Sequence, residues 1–410
     1  MCARFWPQRA NRRGELEAVS SREHAPVKPA LGERIRVLLF TNSVAVGGME
    51  EHVELLARHL DRQRFEVFAI CPDWQPIEPF SHSLGEVADY VATITPDRRH
   101  GLLGLLVETL RLARQIRQWR IQVMHMHSTT YRGQYYAFLA ARLAGVRRIY
   151  VTEHLAPDQA LPRRERLARN IFSRIISGIV CVSQKNYQAR AAYLYTPSKR
   201  TVVVNNGVDL DDFPPIAAAT LDELRAHYQL SNDAQIVGTA VRFEPEKGLS
   251  YLIEAMPQIK AACPQAYFLM VGDGSLRAEL EAQIAGLGLS DCVRFVGFQS
   301  DPRPYLGLMD AFVLPVPIGS MSIGLLEAMA MERAVVITFG GTGEAVIHGQ
   351  SGFCAEPRNS ASIAEFVIQI LQQPELKKAL GVAARQRVEA EFSAQQVARS
   401  LSVLYTQSER

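Results

Sequence analysis

The sequence of 410 residues has no apolar run of the roughly 18–20 residues that a membrane-spanning helix needs. Its six cysteines are scattered, with no Cys-x-x-Cys pair and no histidine at zinc spacing. Residues 1–33 carry arginines but lack the apolar core of a secretory signal. These absences argue against an integral membrane protein, a disulfide scaffold and a zinc module. They favour a protein of the reducing cytosol with free, buried thiols and a disordered leader over residues 1–33.

Each half of the chain is poor in one sign of charge. The net charge is only +3, yet residues 34–208 hold 24 Lys and Arg against 14 Asp and Glu, and residues 209–410 hold 15 against 24. A basic half suggests an anionic partner. The same asymmetry suits a protein whose charges serve solubility and domain docking, and the sequence favours neither interpretation.

What the chain does contain is an alternation of short apolar runs with amphipathic helical segments, and this pattern occurs twice. Continuous Val, Ile and Leu strands separated by helices predict parallel sheets covered on both faces. The predicted strands lie at residues 34–40, 65–71, 90–94, 123–126, 149–152, 178–182 and 202–204, and then at 236–240, 267–271, 293–296, 311–315 and 334–338. The predicted fold class is α/β, with two doubly wound, Rossmann-like parallel-sheet domains facing each other across a cleft.

The restart of the pattern predicts the domain boundaries. We expect an N-terminal domain over residues 34–208, a linker rich in Pro and Asp over 209–225, and a second domain over 226–392. Residues 393–410 contain a closing helix at 394–405, which we expect to cross back to the first domain. The length suits two α/β domains of about 180 residues each.

Two cations lie five residues apart on a loop in the second half of the chain. Arg242 follows the strand at 236–240, and Lys247 precedes Gly248, which opens the next helix. A guanidinium can bind phosphate oxygens bidentately and an ammonium binds them as a point charge, so the pair suits a diphosphate. Such a pair alone is more often two solvated charges, and the motifs downstream favour the ligand site.

Glycines follow two of the later strands. Gly272-Asp273-Gly274 resembles only half of a dinucleotide fingerprint, because the third glycine is missing. Neither first strand-to-helix turn shows the complete GxGxxG pattern, which disfavours a Rossmann oxidoreductase. Val296-Gly297-Phe298 ends the strand predicted at 293–296, where the backbone is placed to contact a base.

A helix that begins near residue 322 presents free backbone N–H groups, which suit a phosphate. Glu327 is placed to accept hydrogen bonds from ribose hydroxyls, although a carboxylate there also simply favours the helix dipole. A glycine-rich segment over residues 340–344 ends a further strand and permits close approach of a ligand.

The chain resembles the retaining glycosyltransferases of family 4, also called glycosyl transferases group 1, from residue 34 to about 405. The resemblance rests on the order of five motifs: Asn205-Asn206-Gly207-Val208-Asp209, Arg242…Lys247-Gly248, Gly272-Asp273-Gly274, Leu326-Glu327-Ala328-Met329-Ala330 and Gly340-Gly341…Glu344. It implies a GT-B fold, a UDP- or GDP-sugar as donor substrate, no cofactor, no metal, and transfer with retention of anomeric configuration. Asp209-Leu210-Asp211 matches a DxD metal motif by letters only, and we assign it to the linker.

The resemblance also implies roles for residues of both domains. Arg242 and Lys247 would neutralise the donor diphosphate as it leaves, and the Ile323 amide would assist them at the helix N-terminus. The loop with Gly47 and Gly48 would close over the donor phosphate. His154 would approach the donor sugar as the catalytic-site histidine. His127, which also ends a strand, is the acceptor-side candidate. The spacing of His125 and His127 suggests a metal, but no third ligand follows at telling spacing.

One position departs from the family pattern. The family has two glutamates seven residues apart, and the second corresponds to Glu327; the first would fall at position 319, where this chain has Gly319. That glutamate contacts the donor sugar in the family. Ser320 and Ser322 lie nearby but supply no negative charge next to an oxocarbenium-like centre. An alternative is therefore a catalytically impaired sugar-nucleotide-binding or scaffold protein of the same fold.

Two arginine-rich amphipathic helices, at residues 105–120 and 162–176, bear on the acceptor. Such helices can lie on anionic lipid, although a helix packed on the core with a solvated face is commoner. Both belong to the basic half, which holds the acceptor in this family. We expect a hexosyltransferase of polysaccharide or cell-envelope biosynthesis with a glycan or lipid-linked acceptor. It would be cytoplasmic, with peripheral contact at the inner face of the plasma membrane and no nucleic acid partner.

Overall fold

A computed structural model of the chain describes residues 34–43, 46–73, 77–94, 101–128, 135–155, 162–193, 201–317, 321–339 and 344–407. The predicted leader, position 319 and the glycines at 340–343 lie outside these ranges.

The first sheet is built by the N-terminal half of the chain. Its strands are β1 (Ile35–Thr41), β2 (Phe65–Pro72), β3 (Tyr90–Ile94), β4 (Val123–Ser128), β5 (Arg148–Glu153), β6 (Gly178–Cys181) and β7 (Thr201–Val203). The helices that follow them in the chain are α1 (Gly48–His59), α2 (Glu78–Val87), α3 (Gly101–Gln118), α4 (Tyr135–Leu143), α5 (Arg163–Phe172) and α6 (Gln184–Tyr193). The strand order is β3-β2-β1-β4-β5-β6-β7, and β1 pairs in parallel with both β2 and β4.

The second sheet has six strands, and all its pairs are parallel. They are β8 (Gln235–Ala240), β9 (Ala266–Val271), β10 (Val293–Gly297), β11 (Ala311–Leu314), β12 (Ala334–Thr338) and β13 (Phe353–Ala355), in the order β10-β9-β8-β11-β12-β13. The helices are α7 (Ala218–His227), α8 (Leu249–Ala262), α9 (Arg277–Gly286), α10 (Arg303–Leu308), α11 (Ile323–Ala330), α12 (Ser360–Gln372), α13 (Pro374–Glu391) and α14 (Ala394–Thr406).

Both faces of the second sheet are covered, as the continuous apolar strands predict. Along β9, Phe268 and Met270 belong to a core shared with α8 and α12. Leu269 and Val271, which point to the opposite face, belong to a core shared with α11 and α13. A strand that buries both faces carries no polar alternation, and this explains its uninterrupted apolar sequence. The predicted fold class is confirmed.

The structure corrects several boundaries. The helix predicted at residues 105–120 begins earlier, at Gly101, and the helix predicted at 162–176 ends at Phe172. The second of these ends because the Ile175 N–H donates to the Phe172 carbonyl, three residues back, and the chain turns there. β13 was not predicted, since its Phe-Cys-Ala run contains no β-branched residue.

The described chain divides into two compact units. The first holds the described residues up to Thr152 together with Ile171–Ser177, and the second holds Glu153–Asn170 and the described residues from Gly178 to 407. In the described ranges no helix combines the length and apolarity that crossing a bilayer requires.

The predicted state of the thiols is confirmed for five cysteines. Cys71, Cys181, Cys263, Cys292 and Cys354 are all buried and free. Burial raises the pKa of each of these thiols above its ordinary value, so they are weak nucleophiles.

Candidate functional site

The loop after β8 carries the two predicted diphosphate ligands. The Arg242 side chain is exposed, and its Nη2 lies 3.7 Å from Oε1 of Glu246, which is also exposed. Lys247 is half-buried at the end of a short 3-10 helix. Burial and, to a smaller degree, the charge of Arg242 lower the pKa of the Lys247 ammonium. The loop thus concentrates positive charge where a bound anion would stabilise both cations.

Gly272 and Gly274, which follow β9, lie against the backbone of this cationic loop. A Cβ on residue 272 would overlap the carbonyl oxygen of Val241, and one on residue 274 would lie 2.5 Å from the carbonyl oxygen of Phe243. Gly272 also has a φ of +128°, where other residues are strained. The Phe243 N–H donates to the Asp273 carbonyl at 2.9 Å across the same contact. The two glycines therefore let the two loops meet backbone to backbone.

Two more glycines mark close approaches to the cationic loop. Gly248 has a φ of +65°, and a Cβ there would overlap the carbonyl oxygen of Pro315, just after β11. Gly324, the second residue of α11, packs so closely that a Cβ would lie 2.8 Å from the carbonyl oxygen of Ala240, the last residue of β8. The ends of β8, β9 and β11 and the start of α11 therefore surround one loop.

The start of α11 presents the amide of Ile323 at this place. Ser322 precedes the helix in an extended conformation and makes no side-chain cap hydrogen bond. The first N–H groups of an α-helix have no acceptor within the helix itself, and together with the helix dipole they favour an anion. The structure thus brings together Ile323, Gly272, Gly274 and the loop of Arg242 and Lys247, as their strand-end positions predicted.

Glu327 is half-buried in α11, and its charge acts on Arg303, a residue that sequence reasoning missed. Arg303 donates to both carboxylate oxygens of Asp301, from Nε at 2.7 Å and from Nη2 at 2.9 Å. Its Nη1 donates to the Asp212 carbonyl at 2.6 Å. The hydrogen bond to Asp301 is the main cause that raises the pKa of Arg303, and the charges of Asp212 and Glu327 act in the same direction. A single arginine at the start of a short helix carries no motif that would reveal it.

Phe298 is a large aromatic residue that is 73% exposed. It comes directly after Gly297, whose carbonyl accepts the Gly272 N–H at 2.9 Å. This hydrogen bond places the backbone of Phe298 next to the glycines of the site. An exposed aromatic face next to the cationic loop is suited to stacking on a planar ring.

His154 is buried just after β5, next to an ionic cluster built on Glu153. One carboxylate oxygen of Glu153 bonds Arg169 and the other bonds Arg190, while Asn186 Nδ2 donates to the Glu153 backbone carbonyl at 3.0 Å. Burial disfavours the charged form of Glu153, but Arg190 and Arg169 outweigh it and hold the pKa of this carboxyl below its ordinary value. The cluster fixes the backbone that leads into His154.

This cluster also corrects the interpretation of the basic helix predicted at residues 162–176. Arg169 is buried against Glu153 and so is not part of a basic surface. Arg163, Arg164 and Arg174 are exposed. A buried arginine at this position could not be distinguished from its exposed neighbours by helical spacing, because its partner lies on another element.

Glu344, the last residue of the glycine-rich segment, binds the protein's own backbone. Its Oε2 accepts the Gln184 N–H at 2.7 Å and its Oε1 accepts the Lys185 N–H at 2.5 Å. Both N–H groups belong to the first turn of α6, so the carboxylate caps that helix. The backbone carbonyl of Glu344 in turn accepts Nη2 of Arg387 at 2.9 Å.

In the first unit, Gly47 and Gly48 form the start of α1. Gly47 is the N-cap residue, with a φ of −177°, which any residue adopts. A Cβ on Gly47 would have Glu50 Oε2 at 3.8 Å as its nearest neighbour, which is ordinary contact. The fold itself therefore does not require glycine at position 47.

His127 is fully buried at the end of β4. Its ring lies 4.4 Å from that of His125 and 5.6 Å from that of His52 on α1. His125 Nε2 and Thr152 Oγ1 are hydrogen-bonded at 2.7 Å. Burial lowers the pKa of His52 to about 4 and, with a smaller effect of His52, that of His125 to about 3, so both rings are neutral at pH 7. Across the described residues, no group of three or more His, Cys, Asp or Glu side chains is arranged to hold a metal ion.

Comparison with known proteins gives matches along most of the chain. Residues 46–212 match the family described as Glycosyltransferase Family 4, and residues 221–387 match Glycosyl transferases group 1. The chain is 28% identical over 376 residues to a GDP-mannose-dependent alpha-(1-6)-phosphatidylinositol monomannoside mannosyltransferase of Mycobacterium tuberculosis, a match that covers 87% of this chain and 94% of that one.

Two solved structures share the fold. A glycosyltransferase from Rickettsia africae superposes with a TM-score of 0.79 at 20% identity, over 91% of this chain and 98% of that one. HepE from Anabaena, in complex with UDP and glucose, superposes with a TM-score of 0.78 at 20% identity, over 90% and 99% of the two chains. The two parallel-sheet α/β domains of this chain match the GT-B fold of solved glycosyltransferase structures.

Proposed function

Since the chain belongs to the glycosyl transferases of group 1, with a Family 4 match over its N-terminal half, we propose that it transfers a hexose with retention of anomeric configuration and without a metal. The enzyme is a glycosyltransferase that uses a nucleotide sugar. The observation that supports this proposed mechanism is that the N-terminus of α11 lies against the loop that carries Arg242 and Lys247.

This arrangement supports charge stabilisation of the leaving group. When the bond between the anomeric carbon and the phosphate oxygen breaks, the nucleoside diphosphate gains negative charge. Arg242, Lys247 and the Ile323 amide are held by the backbone contacts of the site, so they need little reorganisation to meet that charge. A metal ion supplies the same stabilisation in other enzymes.

The other candidate residues receive roles in the same proposal. Glu327 accepts hydrogen bonds from the ribose, and Phe298 with Gly272 and Gly274 forms the nucleotide pocket. His154 approaches the donor sugar, supported by the buried Glu153 cluster that fixes its backbone.

The first domain contributes the remaining candidates. Gly47 and Gly48 approach the donor phosphate, a role favoured because the fold itself makes no demand for glycine at position 47. His127 takes the acceptor-side position. We retain residues 34–208 and 226–392 as the two domains, 209–225 as their linker, and the closing helix as a return to the first domain.

For the substrates we propose a UDP- or GDP-sugar and a glycan or lipid-linked acceptor. The mycobacterial relative is GDP-mannose-dependent and acts on phosphatidylinositol monomannoside, whereas HepE binds UDP. A lipid-linked acceptor of envelope or polysaccharide synthesis would place the cytoplasmic enzyme at the inner face of the membrane. The excess of basic residues over 34–208 is suited to that surface.

The test is to incubate the purified protein with a panel of UDP- and GDP-sugars and to follow the release of nucleoside diphosphate, with and without EDTA. One donor should be turned over, and EDTA should have no effect. NMR of the first turnovers, before the released sugar mutarotates, should show the donor's configuration at the anomeric proton. Inversion in the product, or activity that EDTA abolishes, would contradict the proposal.

A second candidate function follows from Gly319, which replaces the first glutamate of the family pattern. Under this alternative the protein binds a sugar nucleotide tightly without turnover. Gly319→Glu should then raise donor hydrolysis if the missing carboxylate is the cause. Turnover by the wild-type protein would exclude this alternative.

A further inference from the structure

One face of α3 exposes an apolar stripe. Four apolar residues are 75%, 52%, 46% and 53% exposed, namely Leu103, Leu106, Val107 and Leu110. They are spaced three, four and seven residues apart, so they lie on the same side of the helix. Leu112 and Ile116, on the other side, are buried. The helix therefore packs on the first unit with one apolar face and presents a second apolar face to solvent.

Arginines continue this stripe toward the C-terminal end of α3. Arg111, Arg114 and Arg117 are all exposed, and they follow Leu110 at helical spacing. The stripe is apolar over roughly its first 10 Å and cationic over roughly the next 10 Å, at 1.5 Å per residue.

Few acidic groups oppose these arginines. Glu108, which is half-buried, is the one acidic residue in the sequence of α3, and α4, which packs against it, has none. Leu139 and Leu143 of α4 add further exposed apolar surface. Arg117 also donates to the Leu143 carbonyl at 2.5 Å, which holds its guanidinium near the junction of the two helices.

We propose that this face of α3 docks obliquely on an anionic lipid bilayer, with the Leu103 end in the acyl region and the arginines at the lipid phosphates. The order of the side chains along the axis matches the order of layers in a leaflet, in which hydrocarbon gives way to phosphate. A protein–protein contact has a different pattern, in which an apolar centre is ringed by a polar rim. Arginine is suited to phosphate because its guanidinium binds two oxygens at once.

This proposal rests on the proposed function in one respect: a lipid-linked acceptor is the reason for the enzyme to bind a membrane. It goes beyond the proposed function because it assigns membrane contact to α3 and gives the orientation of that helix. Membrane docking and donor turnover are measured separately, so each can fail without the other.

The binding test uses the full chain in flotation with vesicles of phosphatidylcholine alone and of phosphatidylcholine with phosphatidylglycerol. On the anionic vesicles, the double variant Leu106→Gln with Leu110→Gln should weaken partition about tenfold or more. Arg111→Gln and Arg114→Gln should each weaken partition about fivefold, and only on the anionic vesicles. Glutamine is a good helix former, so α3 should persist, and circular dichroism checks this. Leu287→Gln and Arg399→Gln, at exposed positions of the second unit, are the matched controls and should bind like the wild type.

The orientation test uses a polarity-sensitive dye on a single cysteine. In a Cys2→Ser background the five described cysteines are buried, so Leu103→Cys and Arg117→Cys are labelled selectively. On anionic vesicles the dye at position 103 should shift to the blue and be quenched by brominated acyl chains, and the dye at position 117 should change little. Equal responses at the two positions would overturn the oblique orientation.

Three other results would overturn the proposal itself. They are an absence of binding to anionic vesicles at low salt, binding that the α3 variants leave unchanged, and a wild-type dimer that the same variants convert to a monomer without any vesicle binding. The α3 variants should retain wild-type release of nucleoside diphosphate from the donor. A failure of the wild type to turn over any donor, together with intact vesicle binding, would count against the proposed function alone.

Discussion

The Glu344 carboxylate accepts the backbone N–H of Gln184 at 2.7 Å, across 160 residues of sequence. The same carboxylate accepts the Lys185 N–H, so it satisfies two of the first N–H groups of α6 and lies at the positive end of that helix. α6 also carries Asn186 and Arg190, which hold Glu153 next to His154. One side chain from the glycine-rich segment is thereby linked to the backbone at a candidate catalytic residue.

Replacing this cap should cost stability. We expect Glu344→Ala to lower the free energy of unfolding by about 1–3 kcal/mol, because two N–H groups lose a charged acceptor. Glu389→Ala is the matched control, since Glu389 makes only a half-exposed surface ion pair at 3.2 Å to Arg385 and should cost no more than about 0.5 kcal/mol. Denaturant titration of the two variants measures the difference, and equal losses would contradict the capping role.

A second prediction about stability concerns Glu153 and the two buried arginines that it binds. Glu153→Gln leaves Arg169 and Arg190 without their shared negative charge, and we expect a loss of about 3–5 kcal/mol at pH 7. The folded-state pKa of Glu153 is depressed, so its contribution is present above the unfolded pKa and is lost as the pH falls through the lower, folded value. The gap between variant and wild type should therefore narrow in acid, below about pH 4.5. Glu66→Gln, at a partly exposed pair with Arg36, is the control and should show a much smaller gap.

The glycine at position 272 has no tolerable replacement. In Gly272→Ala the new Cβ would overlap the Val241 carbonyl in a backbone of φ +128°, and we expect a loss of about 2–4 kcal/mol together with weaker binding of nucleoside diphosphate. Gly286→Ala, in α9 with no atom within 4 Å of its Cβ, should be neutral or slightly stabilising. Thermal unfolding with and without nucleotide tests both variants. The interpretation fails if alanine is accepted equally well at the two positions.

The two cations of the site should matter more for the reaction than for stability. Arg242→Gln or Lys247→Gln should each lower kcat/KM for the donor by roughly 30- to 1000-fold, equivalent to about 2–4 kcal/mol of transition-state stabilisation. Lys378→Gln, at an exposed position of α13, should leave kcat/KM unchanged. Steady-state release of nucleoside diphosphate measures all three. A wild-type rate in either site variant would remove that residue from the proposed mechanism.

Stability in mild acid should depend on the buried histidines. Burial lowers the pKa of His52 to about 4 and that of His125 to about 3, so the unfolded chain takes up protons first as the pH falls below about 6.5. Each histidine should then remove about 2 kcal/mol of stability between pH 7 and pH 5. His52→Phe should flatten this dependence in denaturant titrations at several pH values. His227→Phe, at an exposed histidine, should keep the wild-type slope.

Much of the architecture could be predicted because it is recorded in local patterns. A strand buried on both faces must be apolar throughout, and this alone located most strands of both sheets and their parallel arrangement. The three-residue β13 was missed because its Phe-Cys-Ala run has no β-branched residue, whereas the equally short β7 is Thr-Val-Val and was predicted. Loop residues such as Gly248 and Gly272 were found because a left-handed or crowded backbone position selects for glycine.

The sequence by itself determined the fold class and the glycosyltransferase family, since both depend on residue types in order along the chain. Only the tertiary structure decided which residues become partners across long separations. Arg169 and Arg163 are both arginines of α5 that the sequence does not distinguish, yet Arg169 is buried against Glu153 and Arg163 is exposed. The apolar stripe of α3 likewise predicts only an amphipathic helix, and which side faces solvent is decided by what packs against it. The physical reason is that burial and pairing are properties of neighbours in space, which local sequence does not specify.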